Sequence, residues 1–316
     1  MNRAVLAFLA LGSALALATA LAGCGGSDSS GSGTDAAAAT TTSTSAPPDT
    51  LEALWRRPGE DVAIIPGTND YEPGLNRVSF LVVDKQSKLI EEPTARVWVA
   101  RGLKQKPYAQ TTATLVPIGV PGGVKADAQN IYVTHLDLPK AGKYWILAEP
   151  VGGKKIQALG NAVVGKHSAA PEIGEKAIPS KNPVLKPGVP PKTVTTAEPP
   201  DRELLRTTVA AAMAAHHPFV VTFATPLYCQ TRTCGPVVQV VQSVAKDWQK
   251  KGVDFVHIEI YKDNDPAKGT NRWVDEWKLQ SEPFTFVVDR HGVIRSRFEG
   301  AFSAAELRRA VARIAS

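Results

Sequence analysis

Residues 219–236 read FVVTFATPLYCQTRTCGP, and this stretch decides how the second half of the chain folds. Its first part, 219–224, is apolar except for Thr222, a pattern typical of a strand buried on both faces. Cys229 and Cys234 follow, and after Gly235-Pro236 the valines of 237–250 recur at helical spacing. The stretch therefore predicts a strand, a loop that carries cysteines, and a helix.

The sequence on either side of this stretch continues the alternation of helices and strands. Ser303 and Glu306 have the spacing of a capping box and predict the start of the last helix. Periodicity and turn signals predict the other elements. These are helices over 203–215 and 271–279, strands over 253–261, 284–289 and 293–298, and a final helix that ends at 315.

This order of elements over 201–316 resembles the thioredoxin fold, with the cysteines after the first strand. Residues 282–294, EPFTFVVDRHGVI, are similar to the second half of membrane-anchored thioredoxin-like thiol-disulfide oxidoreductases. The resemblance implies an α/β thioredoxin-like domain in which Cys229 and Cys234 form a redox pair that needs no cofactor. It also implies a cis peptide bond before Pro283, facing the cysteines. Glu282 departs from the pattern, since a carboxylate there would raise the thiol pKa.

The cysteine spacing also departs from the family, because Cys-x4-Cys replaces Cys-x-x-Cys. Within one helix, residues five apart have Cα atoms roughly 8.7 Å apart, whereas a disulfide requires less than about 7 Å. If the pair is bridged, Cys229 lies in the loop and Cys234 near the helix start, where free amides favour its thiolate. In a second register, Cys234-Gly235-Pro236-Val237 matches Cys-Gly-Pro-Cys with Val237 at the second cysteine. Both registers remain open.

Three alternatives to thiol-disulfide exchange follow from the same residues. Some peroxiredoxins carry Cys-x4-Cys in a Thr-Pro-x-Cys context, but Thr225 lies four residues before Cys229 rather than three. Copper chaperones pair two thiols with a distant histidine, for which His257 or His291 would be needed. The third alternative is a structural disulfide, which in so small a ring contributes roughly 2 kcal/mol.

The first half of the chain has the pattern of an all-β domain. Short segments rich in Val, Ile, Thr and aromatic residues alternate with Gly, Pro, Asn and Asp turns, which predicts an antiparallel, immunoglobulin-like β-sandwich over 51–170. The predicted strands cover 76–84, 95–100, 111–118, 131–138 and 143–148. Residues 171–200 contain eight prolines and predict an extended linker.

The N-terminus has the composition of an export signal. Arg3 precedes an apolar segment over 4–22, and residues 21–24, LAGC, resemble the bacterial lipobox. The resemblance implies a signal peptide over 1–23 and a lipid on Cys24, which would hold the chain at the outer face of the cytoplasmic membrane or elsewhere in the cell envelope. The alternative is an uncleaved membrane-spanning helix. Residues 24–50, rich in Gly, Ser and Thr, predict a disordered tether.

Charge and motifs exclude several other functions. The net charge is +6 over 316 residues, and no basic run with interleaved aromatic residues is present, so nucleic acid is not an expected partner. The sequence also lacks patterns for a serine hydrolase or a phosphate-binding loop. We therefore expect a lipid-anchored protein that exchanges disulfides with exported client proteins. The alternative is a binding or scaffold protein with a structural disulfide.

Overall fold

The structure is a computed structural model that describes residues 49–123, 128–229 and 233–315. The predicted signal peptide over 1–23, Cys24 and all but the last two residues of the predicted tether lie outside the described residues. Among the residues described, no helix is both long enough and apolar enough to cross a bilayer.

Seven strands of the first half form a closed barrel in the order β1-β2-β5-β4-β3-β6-β7. The strands are β1 (Glu60–Pro66), β2 (Gly74–Val82), β3 (Thr94–Ala100), β4 (Ala109–Pro117), β5 (Asn130–Leu138), β6 (Gly142–Pro150) and β7 (Ile156–Val164). A short helix, α1 (Leu51–Trp55), precedes them and buries Leu51 against a cluster that includes Trp98. Alternate strand residues, among them Phe80, Tyr132 and Tyr144, fill the barrel interior.

The predicted immunoglobulin-like β-sandwich is therefore wrong, and the reason lies in two strands that the sequence pattern did not indicate. β1 pairs antiparallel with β2 and parallel with β7, which joins the two ends of the sheet. β1 has no fully buried residue, and Gly160 and Asn161 interrupt the apolar pattern of β7. Gly160 lies so close to Ile64 that a Cβ on it would be 2.9 Å from the Ile64 Cβ, so the close approach of β1 to β7 requires a glycine there.

The second half contains a four-stranded sheet in the order β11-β10-β8-β9. Its strands are β8 (Phe219–Phe223), β9 (Asp254–Ile258), β10 (Phe284–Val288) and β11 (Ile294–Glu299), and its α-helices are α2 (Val209–Ala214), α3 (Cys234–Trp248), α4 (Arg272–Glu276) and α5 (Ala304–Ala312). Short 3-10 helices cover Pro191–Thr193, Arg202–Leu205, Gln249–Lys251, Lys262–Asn264 and Pro266–Lys268. β8 is parallel to β9 and antiparallel to β10.

Helices cover both faces of this sheet, which explains why all five residues of β8 are buried. Val220 faces a cluster that includes α3 and α5, whereas Val221 faces a second cluster that includes α2 and α4. Between β8 and β10, the hydroxyl groups of Thr222 and Thr285 form a buried hydrogen bond of 3.0 Å. The predicted capping box of Ser303 and Glu306 is present at the start of α5.

The fold-class prediction of a sandwich followed by an α/β thioredoxin-like domain does not hold for the second half either, since helices are few and mostly short. The predicted helix over 203–215 is interrupted. Asp201 caps only the 3-10 turn Arg202–Leu205, and Thr208 then caps α2 by accepting the Ala211 N–H. In the same way, the helix predicted over 271–279 is reduced to the five residues of α4.

The barrel and the four-stranded sheet belong to one compact unit. Ile118 and Ile131 of the barrel share an apolar cluster with α3. Arg77 on β2 forms an ion pair with Glu306 on α5, at 2.8 Å between Nε and Oε1, and also donates to the carbonyl of Ala301.

The proline-rich segment 171–200 packs against the four-stranded sheet along part of its length. The backbones of Gly174 and Glu175 exchange hydrogen bonds with that of Ile294 on β11. Further along, Thr195 and Thr196 donate to the buried carboxylate of Glu259. This segment therefore forms part of the surroundings of the site described below.

The Arg77–Glu306 pair yields a prediction for stability. Burial alone would raise the pKa of Glu306, but Arg77 and the hydrogen bonds from Ser303 outweigh it and lower that pKa. A carboxyl group whose pKa is lower in the folded state stabilises the fold at pH values above its unfolded-state pKa. This stabilisation is lost as the pH falls through the folded-state pKa. We expect Arg77→Met to lower the free energy of unfolding by about 3 kcal/mol at neutral pH, and by much less near pH 3.

Urea denaturation at both pH values measures this difference. Arg57→Met is the control, since Arg57 is exposed and lies between α1 and β1. An equal loss of stability at both pH values would show that Arg77 acts through packing rather than through its charge.

Candidate functional site: the cluster of Cys229, Cys234 and Glu282

The two cysteines lie at the junction between β8 and α3. Cys234 is the first residue of α3, and Cys229 lies in the loop after β8, the arrangement expected for a pair that can be bridged. No disulfide joins them. The N–H of Cys234 donates to Sγ of Cys229 over 3.3 Å. Because Thr233 provides no side-chain cap for α3, the Cys229 sulfur serves as an acceptor for one of the free amides of the helix start.

Glu282 completes the cluster from the start of β10, the strand next to β8 in the sheet. It directly precedes β10, and its bond to Pro283 is cis, the isomer that the sequence analysis expects there. The two sulfur atoms and a Glu282 carboxylate oxygen all lie within 4.8 Å of one another. The fold therefore brings a carboxyl group that is about fifty residues away in sequence to the two neighbouring thiols.

The two sulfurs differ in access to solvent. Cys229 is 9% exposed, and Cys234 is 0% exposed. Burial raises the pKa of the Cys234 thiol far above its ordinary value, and the neighbouring Cys229 and Glu282 raise it further, whereas the Thr225 backbone N–H lowers it only in part. Cys234 is therefore a neutral thiol at physiological pH, although it occupies a helix start. A position at a helix start alone does not predict this, because the loss of hydration on burial acts in the opposite direction.

Two exposed apolar side chains directly precede the more accessible cysteine in the chain. Leu227 is 66% exposed and Tyr228 is 40% exposed, in the turn directly before Cys229. The ring of Tyr228 meets that of Tyr261 edge to face, with centroids 6.4 Å apart. A groove of about 190 Å³ continues from this turn between the proline-rich segment and α3, and Pro199, Pro226 and Val238 are among the residues that line it.

The histidines named in the copper alternative lie elsewhere. His257 on β9 is buried, with Nε2 3.0 Å from the Ala224 carbonyl and Nδ1 3.3 Å from the Thr195 hydroxyl. His291 lies in the turn between β10 and β11. Among the described residues, the group that could hold a metal ion consists of Cys229, Cys234 and Glu282, without a histidine. The side-chain contacts of Thr195 with His257 and Glu259 were not predicted, because no sequence motif marks these residues.

Comparisons with known proteins give little beyond this geometry. No protein-family model and no curated protein sequence matches the chain. Among solved structures, it is similar to a thiol:disulfide interchange protein, a thioredoxin-family protein from Chlorobium tepidum TLS. The match has 17% sequence identity and a TM-score of 0.26, and it covers 35% of this chain and 86% of that one. So distant a similarity carries no functional argument.

The difference in burial yields a prediction for thiol reactivity. In the reduced native protein we expect iodoacetamide to alkylate Cys229 at least about tenfold faster than Cys234, since the thiolate reacts and Cys234 is both inaccessible and neutral. Because its pKa is raised, Cys234 should still lag at about pH 9, where an ordinary cysteine is largely ionised. Peptide mapping by mass spectrometry over time gives both rates.

The control for this experiment is the same reaction in denaturant, where the two cysteines should react equally. Equal rates in the native protein would contradict the assigned burial and would remove the distinction between the two sulfurs.

Proposed function

We propose that the chain exchanges disulfides with client proteins through Cys229 and Cys234. The observation that carries the proposal is the asymmetric pair itself: two sulfurs within 4.8 Å of each other at a strand–helix junction, one on a residue that is 9% exposed and the other on a residue that is fully buried. Exchange proceeds by thiolate attack through a mixed disulfide, so it needs one sulfur that a client can reach and a second that can release the client. Cys229 suits the first role, and Cys234 suits the second.

The raised pKa of Cys234 favours the direction in which client disulfides are reduced. A strongly oxidising pair has a stabilised thiolate in its reduced form, and burial denies that stabilisation to Cys234. The Cys229 thiolate attacks a client disulfide, and one client sulfur leaves and takes up a proton. Cys234 then loses its proton and attacks the Cys229 sulfur, which forms the intramolecular bridge and frees the second client thiol. An extracytoplasmic dithiol donor restores the reduced pair.

The surroundings of Cys229 indicate what a client presents. Leu227 and Tyr228 offer apolar surface next to the sulfur, and the adjoining groove is lined mainly by uncharged residues. A client segment with apolar side chains beside its cysteine would bury this surface during the mixed-disulfide step. The lipobox-like residues LAGC at 21–24 support a location outside the cytoplasm on a lipid anchor, where clients with disulfides occur.

A second candidate function is supported by one observation, the complete burial of Cys234. In a binding or scaffold protein, the same cysteines would form a structural bridge that fixes the start of α3. The two candidates differ in the reduction potential of the pair. A reductase pair should lie near that of thioredoxin, about −270 mV, whereas structural bridges typically lie below about −300 mV.

Trapping of mixed disulfides tests the exchange. With a disulfide-bonded peptide that carries an apolar residue beside each cysteine, we expect Cys234→Ser to accumulate roughly tenfold more mixed disulfide than the wild type, because nothing resolves the adduct on Cys229. Cys229→Ser should trap almost none, since Cys234 is buried. Non-reducing gels and intact-mass spectrometry measure the adduct.

The matched control is a peptide in which aspartate replaces the apolar residue, and it should be trapped less. If neither variant traps either peptide, and the wild-type bridge resists dithiol reductants, the pair is structural and exchange is excluded.

The proposed anchor is tested separately at Cys24. We expect Cys24→Ala to move most of the protein from the membrane fraction to the soluble fraction, or to block its maturation, because the lipid supplies the membrane affinity. Fractionation with immunoblotting measures this in a bacterial host that processes lipoproteins. Mass spectrometry that finds an unmodified, uncleaved N-terminus on the wild-type protein would contradict the anchor.

A further inference from the structure

The cluster of Cys229, Cys234 and Glu282 contains more than disulfide exchange requires. Two sulfurs suffice for exchange, and a carboxylate beside them only disfavours the thiolate that attacks. Yet a carboxylate oxygen of Glu282 and the two sulfur atoms all lie within 4.8 Å of one another. The additional carboxylate is the feature that calls for a function of its own.

We propose that the reduced cluster binds a zinc ion through Cys229, Cys234 and Glu282. Zinc is held by thiolate, imidazole and carboxylate ligands in a tetrahedron, with bonds of about 2.3 Å to sulfur and about 2.1 Å to oxygen. These bond lengths place neighbouring ligand atoms about 3.5–3.8 Å apart. The observed cluster, with its ligand atoms within 4.8 Å of one another, therefore reaches the geometry of a zinc site by a contraction of at most about 1.3 Å.

The choice of ion follows from the ligand set. Two thiolates alone suit Cu(I), but a carboxylate is a hard oxygen ligand that adds little for so soft an ion. Two sulfurs with one oxygen suit a divalent ion of intermediate softness, which is zinc. Three protein ligands leave the fourth position of the tetrahedron for water or for an incoming group.

The surroundings of the cluster also fit a metal site. The N–H of Cys234 already donates to the Cys229 sulfur over 3.3 Å, and such hydrogen bonds orient a ligand and support its negative charge. Both cysteines are buried; Cys234 is the first residue of α3, and Cys229 lies in the loop after β8. Burial limits access of water to the ion.

The chemistry of binding links the ion to the redox state of the pair. On binding, both thiols release their protons to water and two zinc–sulfur bonds form, with no change in oxidation state. When a disulfide then removes two electrons from the bound thiolates, the two sulfurs join, both zinc–sulfur bonds break, and zinc leaves. The disulfide becomes two thiols by taking up two protons. Zinc thus protects the reduced pair until an oxidant displaces it.

Cobalt substitution tests the site on the full-length, reduced, metal-free chain. The Cys24→Ser background removes the third cysteine of the sequence. We expect one Co²⁺ per chain, with a thiolate-to-cobalt charge-transfer band in the near ultraviolet that zinc abolishes. Competition with a chelating dye then gives the zinc affinity.

Two glutamate variants separate the proposed site from a simple dithiol site. Loss of an outer-shell partner alone weakens metal binding roughly 10- to 100-fold, so Glu282→Gln should weaken zinc binding by at least about tenfold. The control is Glu198→Gln, because Glu198 is an exposed glutamate that also precedes a proline but is not part of the cluster. It should bind zinc as the parent chain does. Oxidation of the pair should release the ion completely.

Three results would overturn the proposal. These are the absence of the charge-transfer band at one Co²⁺ per chain, equal zinc affinity in Glu282→Gln and its parent, and retention of zinc after oxidation. The proposal does not rest on catalysis. A chain that binds zinc but traps no client would refute disulfide exchange alone, and a chain that traps clients but binds no zinc would refute the metal site alone.

Discussion

The properties of the cysteine site depend on the packing of the barrel against the start of α3. Ile118 and Ile131 of the barrel share a core with the helix, and a Cβ placed on Gly119 would contact Pro236, two residues after Cys234. A cysteine at the start of a helix is ordinarily open to solvent and has a lowered pKa. Here Cys234 belongs to the core that the barrel and the helix share, and its loss of hydration outweighs the favourable helix end.

This burial gives the two sulfurs different roles, and it makes the same site compatible with disulfide exchange, with a structural bridge and with metal binding. A buried thiol behind an accessible one suits stepwise exchange, a buried bridge suits a purely structural role, and a buried dithiol beside a carboxylate suits a metal ion. All three require the same short distance between Cys229 and Cys234. What distinguishes them is the stability of the reduced pair. The Glu282 carboxylate destabilises the thiolates when no cation is bound, and it helps to stabilise them when all three groups bind the same cation.

The sequence predicts those parts of the structure that depend on neighbouring residues. The apolar run of β8, the valine spacing of α3 and the capping box of Ser303 and Glu306 are local signals, and the structure contains each of them. Barrel closure could not be predicted in this way, because it depends on pairing between β1 and β7, about a hundred residues apart. The burial of Cys234 is equally non-local. Glu282 was conspicuous beside Pro283, but only the fold brings its carboxylate to the sulfurs.

The parallel pairing of β1 with β7 also determines when the barrel can form as the chain is made. β1 is the first strand of the barrel, but one of its two neighbours is the last, so it remains half paired until Leu159 has left the ribosome. This closing contact joins residues about a hundred positions apart, a loop whose entropic cost grows only slowly with its length. The cysteines lie later in the chain. The barrel that shields Cys234 can therefore be complete before either thiol of the pair has been synthesised.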